Sequence, residues 1–378
     1  MPSSQLAQLF QPIKIGSITL QHRVVLAPLT RLRVNSRHEL GVTAEEYYSQ
    51  RASVPGTLLI SEGTAIAPKA GGFPNIPGIW SDEQITRWKK VVEAVHAKGS
   101  FIFIQVAALG RGADYSVLKS DDLSFPYISA GDVPLKGRDH EPPRPLTVPE
   151  IKEYVQIFAK ASSDAVHRAG FDGVEIHGAN GYLIDQFLQT NANNRTDEYG
   201  GSVENRIRFS LEIVEAVAAV IGQEKVGFRI SPWSDFQEMR MPDPIPTFSA
   251  LATRLRDSYP DLAFLHVVEP RIAGGLDSTA PVDDEESNDF LREIWGTKPY
   301  LAAGGFTRDT AIETVEQKGG LVVFGRHFIS NPDLPTRLLK GIPLTPYDRS
   351  TFYTPDGVKG YTDYPFAAEP LEAAKVAA

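Results

Sequence analysis

Short apolar runs, each followed by an amphipathic stretch, recur along this 378-residue chain, and they restrict its fold more than any other feature. In order they are RVVLAPLT (Arg23 to Thr30), GTLLISEG (Gly56 to Gly63), SFIFIQV (Ser100 to Val106) and GVEIHG (Gly173 to Gly178). VGFRISP (Val226 to Pro232), AFLHVVE (Ala263 to Glu269), PYLAAGG (Pro299 to Gly305) and LVVFGR (Leu321 to Arg326) complete the set of eight. Runs of this length and β-branched content read as buried strands. The stretches between them carry helix signals. Ser81 stands three residues before Gln84 and Thr147 three before Glu150, both capping-box spacings, and the segments close at Gly99 and Gly170. SVENRIRFSLEIVEAVAAVIG repeats the pattern less perfectly and ends at Gly222.

Strands alternating with helices pair in parallel. Eight units predict an α/β fold, a single-domain (β/α)8 barrel over residues 1–378. A doubly wound sheet competes, but no GxGxxG follows the first strand. Three segments fall outside the repeat. Residues 12–22 read as a hairpin around Gly16-Ser17 that could plug the barrel bottom. Residues 107–146, rich in Gly, Pro, Asp and Ser, are expected to form an active-site lid, because they follow a strand's C-terminal end. The extension 343–378 is rich in Tyr, Phe and Pro up to Pro365, which predicts packing on the barrel, and its last dozen residues read as frayed.

Composition removes several function classes. With no cysteine, disulfides, thiolate metal sites and cysteine nucleophiles are excluded. A net charge of −9 argues against general binding to nucleic acid or anionic membranes. No run reaches transmembrane length and no signal peptide is evident, so the cytoplasm is the expected location. The sequon Asn194-Arg195-Thr196 is then read as chance.

In such a barrel the chemistry sits where strands end. The polar residues there are Thr30, Glu62, Gln105, Glu175, His177, Asn180, Arg229, His266, Glu269 and Arg326. Glycines at AAGGF and FGR, with Arg326, suit a phosphate after strands seven and eight; a tight turn with a surface arginine is the plain alternative. Arg229 inside a central strand calls for an anionic ligand or for an internal pair with Glu175 or Glu62. His177 and Glu175 share strand parity and face one side. Histidine and asparagine can both donate to one oxygen, which polarises a carbonyl. Tyr182, close by, can give a proton. A metal fits poorly, since His177 has no second histidine at metal spacing and HExxH is absent.

HGANGYLIDQFL followed by NRTDEYGGSVENRIRF resembles the signature of the Old Yellow Enzyme family, in its fungal form. LAPLTR, GRHFISNPDLP and TFYTPDGVKGYTDYP extend the resemblance from Leu9 to about Glu369. It implies an FMN-containing, NADPH-dependent ene-reductase acting on α,β-unsaturated carbonyl compounds. By that likeness Pro28, Leu29 and Thr30 lie beside the flavin ring, Gly63 and Gln105 contact it, and Arg229 stabilises its reduced form. Gly304, Gly305, Gly325 and Arg326 hold its phosphate. NADPH reduces the flavin and leaves; the substrate oxygen binds His177 and Asn180; hydride passes from N5 to Cβ, and Tyr182 protonates Cα. Phe352, Tyr353 and Ala107 line the substrate pocket. Many relatives carry an aromatic at the position of Ala107, so this pocket should be roomier, and the best-known relatives have asparagine at the position of Gly305.

Other readings stay open. One is a biosynthetic-pathway enal reductase or isomerase of the same family; relatives with phenylalanine in place of Tyr182 lose the proton donor, so Tyr182 favours net reduction. A flavin-free hydrolase or aldolase using Glu175, with Glu269 as the second carboxylate, is a different class. A non-catalytic phosphate binder is another. The expected partner is a small molecule, and the chain is a monomer or homodimer.

Overall fold

The structure, a computed structural model, describes residues 6–277, 286–355 and 357–368. The frayed end expected of the last dozen residues lies mostly outside them. Strands β1 (Val24–Leu26), β2 (Leu58–Ile60), β3 (Phe101–Ala107) and β4 (Gly173–Gly178) pair in parallel with their sequence neighbours. So do β5 (Val226–Ile230), β6 (Phe264–Val268), β7 (Tyr300–Ala303) and β8 (Leu321–Phe324). β8 then pairs with β1, Val323 opposite Val25, and closes an eight-stranded parallel barrel. Closure rules out the doubly wound sheet.

Helices α1 (Val42–Arg51), α2 (Asp82–His96), α3 (Val148–Asp164) and α4 (Val203–Ile221) follow the first four strands. α5 (Ile245–Ser258), α6 (Asp289–Trp295), α7 (Arg308–Lys318) and α8 (Leu334–Lys340) follow the rest. The capping boxes are present at Ser81 with Gln84 and at Thr147 with Glu150. Ser202 caps α4 through the Asn205 N–H. After α3 the backbone widens into a π turn, Ala165–Ala169, before Gly170 ends it.

The barrel interior is layered by strand parity. In the lower layer Phe103 and Phe264 meet with ring centroids 5.4 Å apart. They fit because their partners in register, Gly173 and Gly227, have no side chains: a Cβ there would lie 2.4 Å from Phe103 and 2.2 Å from Phe264. Two residues further along the same strands come Gln105, Glu175, Arg229 and His266, all buried. His177 lies another two along, at the C-terminal end of β4. The barrel therefore passes from apolar to polar toward its mouth.

The hairpin pairs Ile13–Ile15 with Ile18–Leu20. Its Ile15, Ile18 and Leu20 pack with Val25, Phe103, Phe264 and Leu301, against the lower layer. At the other end residues 347–355 and 357–362 reach the mouth, where Tyr347, Arg349, Phe352 and Tyr353 line the cavity. Arg31 donates to the carbonyls of Phe352 and Gly360. Arg33 reaches Thr351 and Lys359, and Arg51 reaches Tyr361. Hydrogen bonds to charged groups contribute roughly 1.5–3 kcal/mol each, so these arginines tie the tail down. Arg31 also lies over the stacked rings of Tyr47 and Tyr361, 5.2 and 5.1 Å from their centroids.

Glu62 sits within this group of cations. It accepts the Arg31 N–H at 3.2 Å and approaches Tyr48 Oη at 3.5 Å. Burial pushes its pKa up to about 7, against the pull of those hydrogen bonds and of Arg31. A carboxyl raised in the folded state stabilises most below its unfolded pKa, and that contribution fades as pH rises through the folded one. The stability difference between wild type and Glu62→Gln should therefore shift against wild type, by roughly 3 kcal/mol in full, between about pH 4 and pH 8. Denaturant melts of both proteins across that range check it; a pH-independent difference refutes it.

Candidate active site

One large cavity, about 700 Å³, opens at the C-terminal ends of the strands. Pro28, Leu29, Thr30, Gln105, His177, Asn180, Tyr182 and Arg229 line it, with Gly304, Gly305, Gly325, Arg326, Phe352 and Tyr353. Gly63 and Ala107 lie instead in an adjoining pocket of about 30 Å³, which shares Thr30, Gln105, His177 and Tyr182. Of the 107–146 insertion, Ala107 and Leu109 reach that small pocket, and no residue of it lines the large cavity. The tail supplies wall there instead.

The peptide after β4 builds the central group. Asn180 adopts φ 57° and Gly181 φ 73°, which reverses the chain. A Cβ on Gly181 would meet Gln237 at 2.7 Å, so only glycine fits. The turn thus lies at Asn180-Gly181, while Gly178 makes room for the Phe228 ring, 2.7 Å from its absent Cβ. Asn180 is held by its backbone: its N–H donates to Ser231 Oγ at 2.8 Å, and its carbonyl accepts from Gln237 at 2.9 Å.

His177 Nδ1 accepts the Ala179 N–H at 3.3 Å. Burial, reinforced by Arg229, pushes the ring pKa well down and keeps it neutral. Its proton therefore sits on Nε2, leaving a neutral donor. Asn180 Nδ2 has no hydrogen bond among the described residues, and Oδ1 is buried without a partner. Both donors therefore line the cavity at the mouth. The Tyr182 ring packs edge-on against His177, centroids 5.0 Å apart. Burial, then Tyr353, pushes its phenol up to about 12, so it keeps its proton.

Arg229 is buried, 8% exposed, yet makes no ion pair among the described residues, and its Nε is orphaned. The internal pair allowed by the sequence is not formed: Glu175 spends one oxygen on Gln105 and the other on His266. The Glu175 charge offsets the Arg229 cation through space, but the guanidinium donors have no partner among the described residues, which suits an anionic or electron-rich ligand atom. Arg326 differs. Its guanidinium forks onto Asp277 at 2.6 and 2.8 Å, on the turn after β6. At Gly305 φ is 60°, a region that asparagine shares with glycine, which explains how relatives can carry asparagine there.

Neither Glu175 nor Glu269 lines the cavity. The carboxylate pair needed by a barrel hydrolase is therefore not presented, which corrects that alternative. Among the described residues no cluster of three His, Asp or Glu side chains is placed to hold a metal. Sequence reasoning missed Phe73, Pro74, Phe236, Ile272, Tyr347 and Arg349, all in the wall. The one local hint was an aromatic beside proline in GGFPN, after β2.

Barrel, mouth and orphaned polar atoms together define a parallel-barrel protein with a large cavity at its mouth, lined by an unpaired buried arginine and by His177, Asn180 and Tyr182. Residues 8–345 match the model of the NADH:flavin oxidoreductase / NADH oxidase family, and the chain belongs to that family. It is 47% identical to the NADP-dependent oxidoreductase lnbE of Aspergillus flavus, over 97% of this chain and 98% of the other. It is 46% identical to the chanoclavine-I aldehyde reductase fgaOx3 of Penicillium roqueforti, over 99% and 100%. Its fold matches the crystal structure of Old Yellow Enzyme from Pichia sp. with a TM-score of 0.89 and 37% identity, over 96% and 95% of the chains. The Old Yellow Enzyme likeness read from the sequence is thereby borne out, and these neighbours imply FMN as cofactor. No described helix is long and apolar enough to cross a membrane.

Proposed function

We propose that this chain is an NADPH-dependent, FMN-containing ene-reductase that reduces the C=C bond of α,β-unsaturated carbonyl compounds. The observation that carries the reading is the orphaned cation Arg229 beside two neutral donors, His177 and Asn180, and a protonated Tyr182, all on one cavity. The residues fit FMN. Thr30, Gln105 and Arg229 would offer polar contacts to its ring, and Pro28, Leu29 and Gly63 would border it. Gly304, Gly305 and Gly325 give backbone access for a phosphate, where a Cβ on Gly304 would strike Glu269 at 2.7 Å. Arg326 would exchange its fork from Asp277 to that phosphate.

When bound, FMN supplies the hydride at N5. The chain does the rest. His177 Nε2–H and the Asn180 amide bind the substrate carbonyl oxygen and stabilise the charge that develops on it. Tyr182 gives its proton to Cα. Arg229 would offset negative charge on a bound ring. Phe352 and Tyr353 cover the substrate, and Ala107 leaves space beside it. NADPH uses the same open face, so no separate dinucleotide domain is required. The protein acts in the cytoplasm, as a monomer or homodimer.

Purified protein should be yellow and release FMN on denaturation. A colourless protein that cannot be reconstituted with FMN overturns the proposal. A narrower version, in which the substrate is an enal of a biosynthetic pathway, is supported by the relative named as an aldehyde reductase. Anaerobic stopped-flow reoxidation with simple enones and bulky enals separates the two.

A further inference from the structure

Glu175 has no place in that chemistry, although it is fully buried at the centre of the polar layer. Its Oε1 accepts from Gln105 Nε2 at 2.7 Å and its Oε2 from His266 Nδ1 at 2.6 Å. Gln105 and Glu175 are partners in register across β3 and β4, so the contact is built into the barrel. A carboxylate can only accept, so the Gln105 amide has one permitted orientation: nitrogen inward, carbonyl outward. Gln105 Oε1, 3.3 Å from where a Gly63 Cβ would stand, accepts no hydrogen bond among the described residues and lies at the mouth.

We propose that Glu175 is a positioning residue: it turns Gln105 so that an acceptor, rather than an NH2 group, faces the cofactor beside the donor Arg229. An acceptor next to a donor complements the N3–H and C2=O edge of an isoalloxazine ring. The reverse orientation of Gln105 would set two donors side by side and leave N3–H unpaired. Glu175 also supplies the negative charge nearest in function to Arg229 without occupying the guanidinium, which stays free for the ligand. His266 serves this arrangement by holding the second carboxylate oxygen, so that Glu175 stays turned to Gln105 and His266 and forms no ion pair with Arg229.

The inference rests on the FMN reading. Its test is a double-mutant cycle on the apoprotein, with FMN affinity read by quenching of flavin fluorescence and midpoint potential read by reductive titration. An amide at 175 can face Gln105 with either end, so Glu175→Gln should weaken FMN binding roughly tenfold. In a Gln105→Leu background the same change should cost less than about twofold, because its effect runs through Gln105. Loss of the negative charge should move the midpoint potential of Glu175→Gln to a more positive value. Glu175→Asp, which keeps the charge but shortens the reach, should weaken binding while holding the potential near wild type. It also serves if the glutamine variant fails to fold. Additive losses in the cycle, or unchanged affinity and potential in the Glu175 variants, overturn the proposal. A wild-type protein that binds no FMN overturns the reading beneath it instead.

Discussion

On the proposed reading, phenols should bind over the flavin and give a long-wavelength absorbance change, and His177→Ala with Asn180→Gly is expected to abolish it. The double change should also slow alkene reduction by at least about a hundredfold, the cost typical of one lost oxyanion donor. The reason is geometric. The His177 ring is fixed by the Ala179 N–H on Nδ1, so Nε2–H is pre-aimed. The Asn180 amide is carried on a backbone locked by Ser231 and Gln237. The His177 donor therefore need not reorganise when charge develops, and both residues are buried in the cavity wall. Glycine is the better replacement at 180 because the residue sits at φ 57°, where alanine adds roughly 1–2 kcal/mol of backbone cost. With glycine, a loss of ligand response can be assigned to the missing amide. An unchanged phenol titration places the oxygen site elsewhere.

Tyr182→Phe is expected to slow the alkene half-reaction by roughly 10²–10⁴-fold, the usual contribution of a positioned acid. NADPH oxidation by a quinone or by oxygen should stay within a few fold of wild type. Phenylalanine keeps the edge-on packing against His177, so the pocket wall survives and only the proton is lost. The raised phenol pKa, about 12, also means the rate should not fall through loss of this proton below about pH 11. Equal damage to both half-reactions refutes a dedicated proton-donor role.

Much of the architecture was legible because it is local. Each expected strand formed at its run, the third extending one residue beyond it to Ala107, and the capping boxes at Ser81 and Thr147 formed as their spacing required. The facing of Glu175 and His177 followed from strand parity alone. The Old Yellow Enzyme likeness added a cofactor that residue chemistry had left open as an anionic ligand. What resisted reading was pairwise and distant. Arg229 had two possible carboxylate partners in the sequence, and the fold gave it neither; Glu175 is held by Gln105 on neighbouring β3 and by His266 on β6, two strands away. Arg326 read as a free phosphate ligand, and its fork onto Asp277 links positions 49 residues apart.

The sequence by itself determined the eight strands, the inward side of each, and the residues HGANGY that present two donors and a phenol after β4. Those features depend on two-residue and three-to-four-residue periods and on backbone turns, which a short stretch of chain carries within itself. Only the tertiary structure decided which of the inward polar groups would be satisfied and which left bare. It also decided that Phe352, held by Arg31 and Arg33 through its carbonyl, and Tyr353 beside it would wall the cavity. Those outcomes depend on strand register and barrel closure, which bring together groups up to hundreds of residues apart, and no local pattern encodes such a distance.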